Sequence, residues 1–396
     1  MKKRILLGIL IVAMVLSLAA CGGGSEESGN SDSGESSDMK VSMITDSGDI
    51  TDESLNQTIY EACKSWSSQN DVEFNYYKPE SDSVEARSAS IDKAIADGAN
   101  VLVTPGYVFA TSLVDKSKLY PDVKFVAIDI TAGDICEAGV GEGYSGNPED
   151  YNVADYYNAD NVYCCTYHDE LSGYMAGYAA VKLGYKKLGF LGGMAVPGVK
   201  RYGYGYVQGV DAAAKELDIA DEVSIEFVYG GQFYGDADIT AYMDTWYASK
   251  GVEVVFACGG GIYTSAAEAA EKAGGKVIGV DVDQGPVIDK TYGEGLTITS
   301  AIRGLAPTTT TILDAVKNDE WEDWAGKTDI LGLISENADE NYVGIPVEST
   351  QWGDGFTEDD FNGLLSDMLS GELTVNDDLS VMPTTEITVN DYGSIK

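Results

Sequence analysis

Acidic and aromatic side chains follow several short apolar runs of this chain. Asp129 follows the run at 123–128 and Asp281 follows the run at 277–280, while Phe233 lies in a Gly-Gly-Gln-Phe-Tyr stretch after another run. Carboxylates accept hydrogen bonds from hydroxyl groups, and aromatic rings stack on flat rings. The combination predicts a site for a neutral, polyhydroxylated ligand that carries a flat ring.

Glycines and further polar residues at the ends of other runs extend this candidate site. A glycine has no Cβ, so a ligand or another backbone segment can approach it closely. In parallel sheets, residues at the carboxyl ends of the strands meet at one edge, where ligands bind. The further candidates are Asp46, Asn56, Tyr107, Gly259, Gly260 and Arg303.

Structural roles for some of these residues stay open from the sequence alone. Asp52 and Ser54 precede a predicted helix, where such residues commonly cap the first turn. A glycine after a strand is commonly part of a turn, and Phe233 is equally compatible with a place in the core. A structural role fits Asp129 and Asp281 less well, because little helix follows either residue to be capped.

Several short motifs resemble those of catalytic or cofactor sites, but the residues around each of them do not fit such a site. Residues 141–146 match G-x-G-x-x-G, but no strand precedes them and Asn-Pro at 147–148 follows in place of a helix. Residues 281–285 resemble the start of a calcium loop, but Tyr292 stands where the loop requires Glu. His168, the single histidine, has no nucleophile motif. The sequence therefore predicts a binding protein without enzymatic activity, cofactor or metal.

The charge balance narrows the class of partner. The chain has 396 residues, with 25 Lys+Arg against 65 Asp+Glu and a formal net charge of −40. Affinity for nucleic acid depends on Lys and Arg, so this acidity argues against a nucleic-acid partner. The hydrophobic fraction of 44% is sufficient for buried cores, so global disorder is excluded.

The first residues predict export and a lipid anchor. Residues 1–20 combine a positive start with an uncharged apolar run, the pattern of a signal peptide. Residues 18–21 (Leu-Ala-Ala-Cys) resemble the bacterial lipobox, in which the cysteine is lipidated. Residues 21–38 are rich in Gly, Ser and acidic residues and predict a flexible linker. We expect a protein anchored in the cell membrane through lipid on Cys21, on the extracytoplasmic side.

From residue 40 onward, short apolar runs alternate with helical patterns. Strand–helix–strand repeats of about 30 residues predict βαβ units and parallel sheets. The alternation breaks at 131–160, a Gly-, Tyr- and Asp-rich segment that is longer than ordinary loops. Two sets of units predict two doubly wound α/β lobes around one cleft. We assign 39–165 with 300–322 to the first lobe, and 166–299 with 323–396 to the second.

The cysteines beyond Cys21 are expected to be buried free thiols. They show no C-x-x-C or zinc spacing, and their odd number leaves at least one unpaired. They are Cys63, Cys136, Cys164, Cys165 and Cys258.

A series of motifs resembles the basic membrane protein family. The series begins with residues 40–46 (KVSMITD) and 52–57 (DESLNQ), and the resemblance covers most of residues 40–320. The later motifs are 106–107, 124–129, 174–177, 189–193, 205–210, 277–284 and 299–303. Members of this family are lipoproteins that bind purine nucleosides for ATP-driven importers.

The resemblance implies a fold and a function. The fold is the two-lobed type I periplasmic-binding-protein fold with three hinge crossings. The implied function is capture of a nucleoside-like ligand, a purine nucleoside by preference, in the cleft and its delivery by a monomeric protein to an ABC permease and its ATPase. Two alternatives stay open: a ligand-sensing ectodomain that reports to a receptor, and an exported hydrolase acting on nucleosides or glycans.

The resemblance also implies which residues contact the purine base of the ligand. The family stacks the base between two aromatic rings, and the corresponding positions here are Leu55 and Phe233. Leu55 replaces the usual phenylalanine, so one face of the stack is aliphatic unless Tyr107 or Tyr234 substitutes. Asn56 corresponds to a polar contact on the base side.

The remaining implied roles are polar. Asp129 corresponds to a second contact on the base side, and Asp281 to the acceptor for the ribose hydroxyls. Gly259 or Gly260 is expected to allow close approach of the backbone. Arg303 stands where the family usually has lysine, which keeps the charge but changes the geometry of the contact.

Overall fold

The computed structural model describes residues 39–46 and 48–396. The signal peptide and linker predicted at 1–20 and 21–38, with the lipid site at Cys21, lie outside these residues. Within the part of the chain that is described, no helix has the length and apolar character needed to cross a membrane.

Strands and helices alternate along the chain, as the spacing of the apolar runs predicts. The strands are β1 (Lys40–Ile44), β2 (Glu73–Tyr77), β3 (Val101–Pro105), β4 (Lys124–Ile128), β5 (Val162–Tyr167), β6 (Lys187–Gly192), β7 (Ser224–Tyr229), β8 (Val254–Cys258), β9 (Lys276–Asp281), β10 (Thr297–Arg303), β11 (Thr328–Leu331), β12 (Val343–Gly344) and β13 (Thr388–Ser394). The helices are α1 (Leu55–Gln69), α2 (Val84–Ala96), α3 (Ala110–Leu119), α4 (Ala132–Val140), α5 (Asp169–Lys182), α6 (Pro197–Glu216), α7 (Ala237–Thr245), α8 (Tyr263–Ala273), α9 (Gly285–Tyr292), α10 (Leu305–Lys317) and α11 (Glu358–Ser370).

The strands form two sheets. The first sheet has the order β11-β5-β4-β3-β1-β2 and is parallel throughout. The second has the order β12-β10-β9-β8-β6-β7-β13 and is parallel except where β12 pairs with β10. In both, the strand order runs outward in two directions from the first strand, which is the doubly wound arrangement. The predicted fold class, α/β with two doubly wound lobes, is confirmed.

The central strands are buried on both faces, which explains their continuous apolar sequences. Every residue of β3 and of β8 is buried, as expected where helices cover both faces of a parallel sheet. Helix α1 shows the complementary pattern, with Ile59, Cys63 and Trp66 buried on one face at the three- and four-residue spacing of a helix.

Helices α5 and α6 pack unusually closely, and glycine permits this. A Cβ on Gly173 would lie 2.1 Å from the carbonyl oxygen of Tyr202, and one on Gly205 would lie 2.0 Å from that of Glu170. Because real Cβ atoms do not approach so closely, any side chain at these positions would separate the helices. The contact fixes the start of α5, at Asp169, against the first turns of α6.

Packing orders the long segment at 131–160. It forms α4 and several short 3-10 turns, and Thr131 and Asp134 form a capping box at the start of α4. Tyr156 lies where a Cβ on Gly139 would be 2.5 Å away, and the hydroxyl of Tyr157 donates to the carbonyl of Gly326 at 3.1 Å. The segment is therefore a built part of the first lobe rather than a loose loop.

The last crossings between the sheets differ from the assigned boundaries. Strand β10 remains in the second sheet up to Arg303, so the chain crosses at Gly304 rather than at 300. Strand β11 pairs with β5 in the first sheet, although 323–396 is assigned to the second lobe. The assignment of 328–331 is wrong because β11 is an edge strand with mixed exposure, so its sequence lacks the apolar run of a central strand.

The cysteines within the described residues are buried and unpaired, as the sequence predicts. They comprise Cys63, Cys136, Cys164, Cys165 and Cys258.

Candidate ligand-binding cleft

A cavity lies where the carboxyl ends of strands from both sheets face each other. This is the position at which doubly wound sheets bind ligands. All the binding residues predicted from the sequence line it. They are Asp46, Leu55, Asn56, Tyr107, Asp129, Phe233, Gly259, Gly260, Asp281 and Arg303.

Asp129 and Asp281 share a backbone conformation that is rare for residues other than glycine. Their φ angles are +66° and +68°, in the left-handed region that Asp tolerates better than most residues. Asp129 directly follows β4 and Asp281 ends β9. In both cases the chain turns at the carboxylate, and the turn directs a charged side chain into the cavity instead of continuing the strand.

Arg303 joins these two carboxylates across the cleft. Its Nε lies 2.8 Å from Asp281 Oδ1 and its Nη1 lies 3.1 Å from Asp129 Oδ1. Asp169 Oδ2 is 3.7 Å from the same Nη1. The guanidinium carbon lies 5.5 Å from the ring centre of Tyr167 and 5.9 Å from that of Tyr202. A buried guanidinium needs such compensation, because desolvating an unpaired charge is costly.

The carboxylates around Arg303 differ in burial. The side chain of Asp169 is fully buried and burial raises its pKa well above the usual range. The side chain of Asp281 is 5% exposed and that of Asp129 is 17% exposed. Asp129 is therefore the carboxylate of this cluster most open to a ligand.

Two further contacts tie the first lobe to the second. Ser54 Oγ, just before α1, donates to Asp281 Oδ2. Gln284 Nε2 donates to the carbonyl of Glu53 at 2.9 Å, while Gln284 Oε1 accepts from Val280 N at 2.9 Å. The loop that leads into α1 thus contacts the second sheet directly, and the cleft is closed.

The polar side of the first lobe is a network centred on Asn56. Its Nδ2 donates to Asp46 Oδ1 at 2.8 Å and to Asp52 Oδ2 at 3.0 Å, and its Oδ1 accepts from Asp46 N at 3.2 Å. Both amide protons of Asn56 are therefore engaged with carboxylates of the protein. Burial raises the pKa of Asp46 to about 6, although hydrogen bonds from Gly48 N and Asn56 oppose the shift.

Phe233 is seated on glycines. A Cβ on Gly193 would lie 2.4 Å from its ring, and one on Gly259 would lie 2.9 Å from it. Gly260 has a φ of +53°, and a Cβ there would lie 2.8 Å from the carbonyl oxygen of Phe233. From the sequence, Gly259 or Gly260 is expected to allow close approach of a ligand to the backbone. In the structure both glycines also make room for the Phe233 segment.

Other residues that line the cavity are not predicted from the sequence. Tyr202 is 2% exposed, and within the described residues its hydroxyl has no hydrogen-bond partner. Arg201 lies beside it, with Nη1 3.4 Å from Thr166 Oγ1. Both lie in the first turns of α6, which Pro197 begins. The signal was available: α6 follows β6, so its first turns lie at the carboxyl edge of the sheet. Thr131, Asp134 and Val196 also line the cavity.

His168 does not line this cavity. Its Nδ1 lies 2.6 Å from Glu170 Oε1, and this hydrogen bond raises the pKa of the imidazole. Because the single histidine is elsewhere, a nucleophile activated by histidine has no support in the cleft.

Comparisons with known proteins agree with this geometry. The relatives include the ABC transporter nucleoside-binding protein BmpA of Lactococcus lactis subsp. cremoris (strain MG1363), 27% identical over 298 residues, which are 72% of this chain and 75% of that protein. Basic membrane protein B of Borreliella afzelii (strain PKo) is 28% identical over 307 residues, 75% of this chain and 79% of that protein.

A solved structure shares the fold. The crystal structure of ABC transporter system solute-binding proteins from Aeropyrum pernix K1 aligns with a TM-score of 0.62 at 17% identity, and covers 85% of this chain and 87% of that one. The fold is therefore that of type I periplasmic-binding proteins.

The model of one protein family matches most of the chain. Its description is "ABC transporter substrate-binding protein PnrA-like", and it matches residues 39–365. The resemblance to the basic membrane protein family is confirmed, and the chain belongs to this family of ABC transporter substrate-binding proteins.

Proposed function

We propose that this protein captures a purine nucleoside in the cleft and delivers it to an ABC permease and its ATPase, while lipid on Cys21 holds it at the extracytoplasmic face of the membrane. The observation that carries the proposal is the convergence of Phe233, Asp129, Asp281 and Arg303 on one closed cavity. The nucleoside-binding name of the Lactococcus relative supports the class of ligand.

The apolar side chains of the cavity suit a flat base. Phe233 contributes an aromatic ring to the lining and Leu55 an aliphatic side chain. Stacking of a base on an aromatic ring contributes about 1–3 kcal/mol. Tyr107 is half-buried and, of the aromatic residues that line the cavity, is the nearest in sequence to Leu55. It is the substitute that we favour for the missing phenylalanine.

The charge of the cavity suits an uncharged ligand with hydroxyl donors. The described lining includes five aspartates, at positions 46, 52, 129, 134 and 281, against Arg201 and Arg303. Carboxylates accept hydrogen bonds from ribose hydroxyls and from ring N–H groups. They repel a phosphate, so a nucleoside fits the site better than a nucleotide does.

A thermal-shift screen tests the ligand class. Guanosine, inosine and adenosine, each at 1 mM, should raise the Tm of the purified protein, because a ligand present at about 100 times its Kd stabilises the native state by about 2.7 kcal/mol. Ribose and free bases serve as partial ligands. The absence of a shift with every nucleoside would refute the proposed ligand, and turnover of a bound nucleoside would refute a binding role.

A matched pair of substitutions locates the binding. Phe233→Ala should raise the Kd for the best nucleoside about 10- to 100-fold, through lost stacking and lost apolar contact. Phe74→Ala is the control, because Phe74 is also partly buried but packs against Tyr60 away from the cavity. Equal effects of the two substitutions on the Kd would place the ligand outside this cleft.

A further inference from the structure

The loop that carries Phe233 is held from outside the region that the family shares. The family match ends at residue 365, whereas β13 (Thr388–Ser394) lies beyond it and adds a parallel edge strand to β7. The loop at 230–236 follows β7 directly. We propose that β13 and Lys396 are a brace that positions Phe233 for ligand stacking, an inference that rests on the proposed function.

The contacts run from the end of β13 to the loop. Ile395 N donates to the carbonyl of Tyr229 at 2.8 Å, which extends the pairing to the last residue of β7. Lys396 Nζ donates to Gln232 Oε1 at 3.0 Å and also forms an ion pair with Asp236. A Cβ on Gly231 would lie 3.0 Å from Lys396 Cβ, so the lysine stem lies directly against the loop backbone.

Lys396 joins two residues that flank Phe233. Gln232 immediately precedes the ring, and its Nε2 donates to Tyr234 O at 2.9 Å and to Asp236 Oδ2 at 2.9 Å. Gln232, Tyr234 and Asp236 are thereby joined into one hydrogen-bonded unit, and the lysine ammonium bridges Gln232 and Asp236 at its two ends.

Asp236 anchors that unit to the body of the second lobe. Its Oδ1 accepts from Asp238 N and Ile239 N, both at 3.0 Å, as the N-cap of α7. The pKa of Asp236 is lowered to about 2, first by the hydrogen bond from Lys396 and then by that from Ile239 N. The carboxylate is therefore ionised throughout the physiological range.

The ring packs against the core of the second lobe, on a seat formed by Gly193, Gly259 and Gly260, which have no side chains to hold it. Backbone bonds from Gly230 N to Gly192 O at 2.7 Å, from Gly231 N to Gly193 O at 2.8 Å and from Gly261 N to Phe233 O at 2.9 Å hold the segment. The brace adds side-chain contacts at Gln232 and Asp236, on either side of the ring. Holding a side chain in its bound geometry reduces the entropic cost of binding, so loss of the brace weakens the binding of any ligand that stacks on Phe233.

The first test removes the charge of the lysine. Lys396→Met should raise the Kd for the best nucleoside about two- to fivefold, the range for a partly exposed ion pair. Lys396→Arg, which keeps the ion pair, should restore the affinity. Lys272→Met is the control, because Lys272 pairs with Asp244 and Glu268 on the surface of the same lobe, and its Kd should equal that of the wild type.

A double substitution separates positioning of the ring from general stability. If Lys396 acts through the ring, the double variant Lys396→Met, Phe233→Ala should have the same Kd as Phe233→Ala alone. Multiplication of the two single effects would overturn the proposal, because it would show that the lysine acts independently of Phe233.

Hydrogen exchange tests the brace without any ligand. The backbone amides of 230–236 should exchange several-fold faster in Lys396→Met than in the wild type, with no change in 252–262. Unchanged exchange at 230–236 would overturn the brace. A protein that binds no nucleoside but shows faster exchange would refute the proposed ligand and retain the brace.

Discussion

The cleft has two walls, one from each lobe, and they hold their carboxylates in place by different contacts. On each wall an aspartate with a left-handed backbone stands at the end of a central strand, Asp129 on the first wall and Asp281 on the second. On the first wall, Asn56 holds the carboxylates of Asp46 and Asp52 by hydrogen bonds. On the second wall, the polar groups gather around the Arg303 guanidinium.

This difference indicates that one wall mainly contacts the ligand and the other mainly holds the cleft closed. Asp281 accepts from Ser54 of the opposite lobe and pairs with Arg303, so it is largely committed to holding the cleft shut. Asp129 keeps a larger exposed fraction in the cavity. We infer that the first wall supplies most of the polar contacts to the ligand. The second wall supplies the stacking ring and the charged contacts of Asp281 with Arg303 and Ser54, which we call the latch because they hold the cleft shut.

Loss of the shared cation should have the largest effect. Arg303→Met leaves the carboxylates of Asp129 and Asp281 buried without their partner, which should lower the free energy of unfolding by about 3–5 kcal/mol. It should also abolish measurable nucleoside binding. Denaturant unfolding and calorimetric titration measure the two effects.

The control for this change is a second buried arginine. Arg87, 7% exposed at its side chain, pairs with Asp82 at 2.6 Å and is not one of the residues that line the cavity. Arg87→Met should therefore destabilise the fold while changing the Kd far less than Arg303→Met does. An unchanged Kd in Arg303→Met would contradict the latch.

The first wall should respond to pH. Asp46 binds its proton more tightly in the folded protein, with a pKa of about 6, than in the unfolded chain at about 3.9. Its contribution to stability is fully present below pH 4 and is lost as the pH rises through 6, by up to about 3 kcal/mol. The stability difference between the wild type and Asp46→Asn, measured by unfolding from pH 4 to 7, should follow this curve. A constant difference would place the titration on another group.

Neutralising the two strand-end aspartates should separate the walls. Asp281→Asn removes two charge-assisted interactions and should lower the free energy of unfolding by about 2 kcal/mol. Asp129→Asn should lower the free energy of unfolding by only about 1 kcal/mol. It should nevertheless raise the Kd for the nucleoside at least as much as Asp281→Asn does. Asparagine tolerates the same positive φ, so backbone strain is not introduced.

Asp319 supplies a control for this pair, since it is exposed and also has a positive φ of 60°. Asp319→Asn should change neither stability nor affinity. If Asp129→Asn proves the more destabilising of the pair, the division between recognition and closure is wrong.

Making the walls alike should have the smallest effect. Leu55→Phe adds an aromatic ring to the lining of the cavity that Phe233 also lines and should lower the Kd about two- to tenfold, since an aromatic pair contributes about 0.5–1.5 kcal/mol beyond its buried area. Leu55→Met, similar in volume but without a ring, should leave the Kd within twofold. Titration of the two variants with the same nucleoside makes the comparison, and weaker binding by Leu55→Phe would show that another side chain already occupies that face.

The sequence identifies the cleft well because its main residues stand at strand ends. Asp129 and Asp281 each follow an apolar run, and a parallel sheet places such positions together. Tyr202 and Arg201 escape this reasoning because they lie a turn into α6. There, helical packing against Gly173 decides which side chains reach the cavity.

The edge strands are the part of the fold that is hardest to predict from the sequence. Strand β13 has mostly exposed residues and the polar sequence TVNDYGS, and β11 has mixed exposure. Strands with one free edge need no continuous apolar run, so their positions follow from pairing with a neighbour. The commitment of both Asn56 protons to carboxylates was equally hidden, because it depends on the separation of side chains in space.

The buried thiols give each sheet a chemical reporter. Burial raises the pKa of Cys165, on strand β5 of the first sheet, to about 12, and raises that of Cys258 well above its usual range. Because the thiolate is the reactive form, alkylating reagents modify neither residue until the structure around it opens. Cys258 lines the cavity, so its labelling rate records opening of the cleft. Cys165 is fully buried and does not line the cavity, so we expect its labelling to be slower than that of Cys258 and to follow unfolding of the first lobe. The two labelling rates then distinguish opening of the cleft from unfolding.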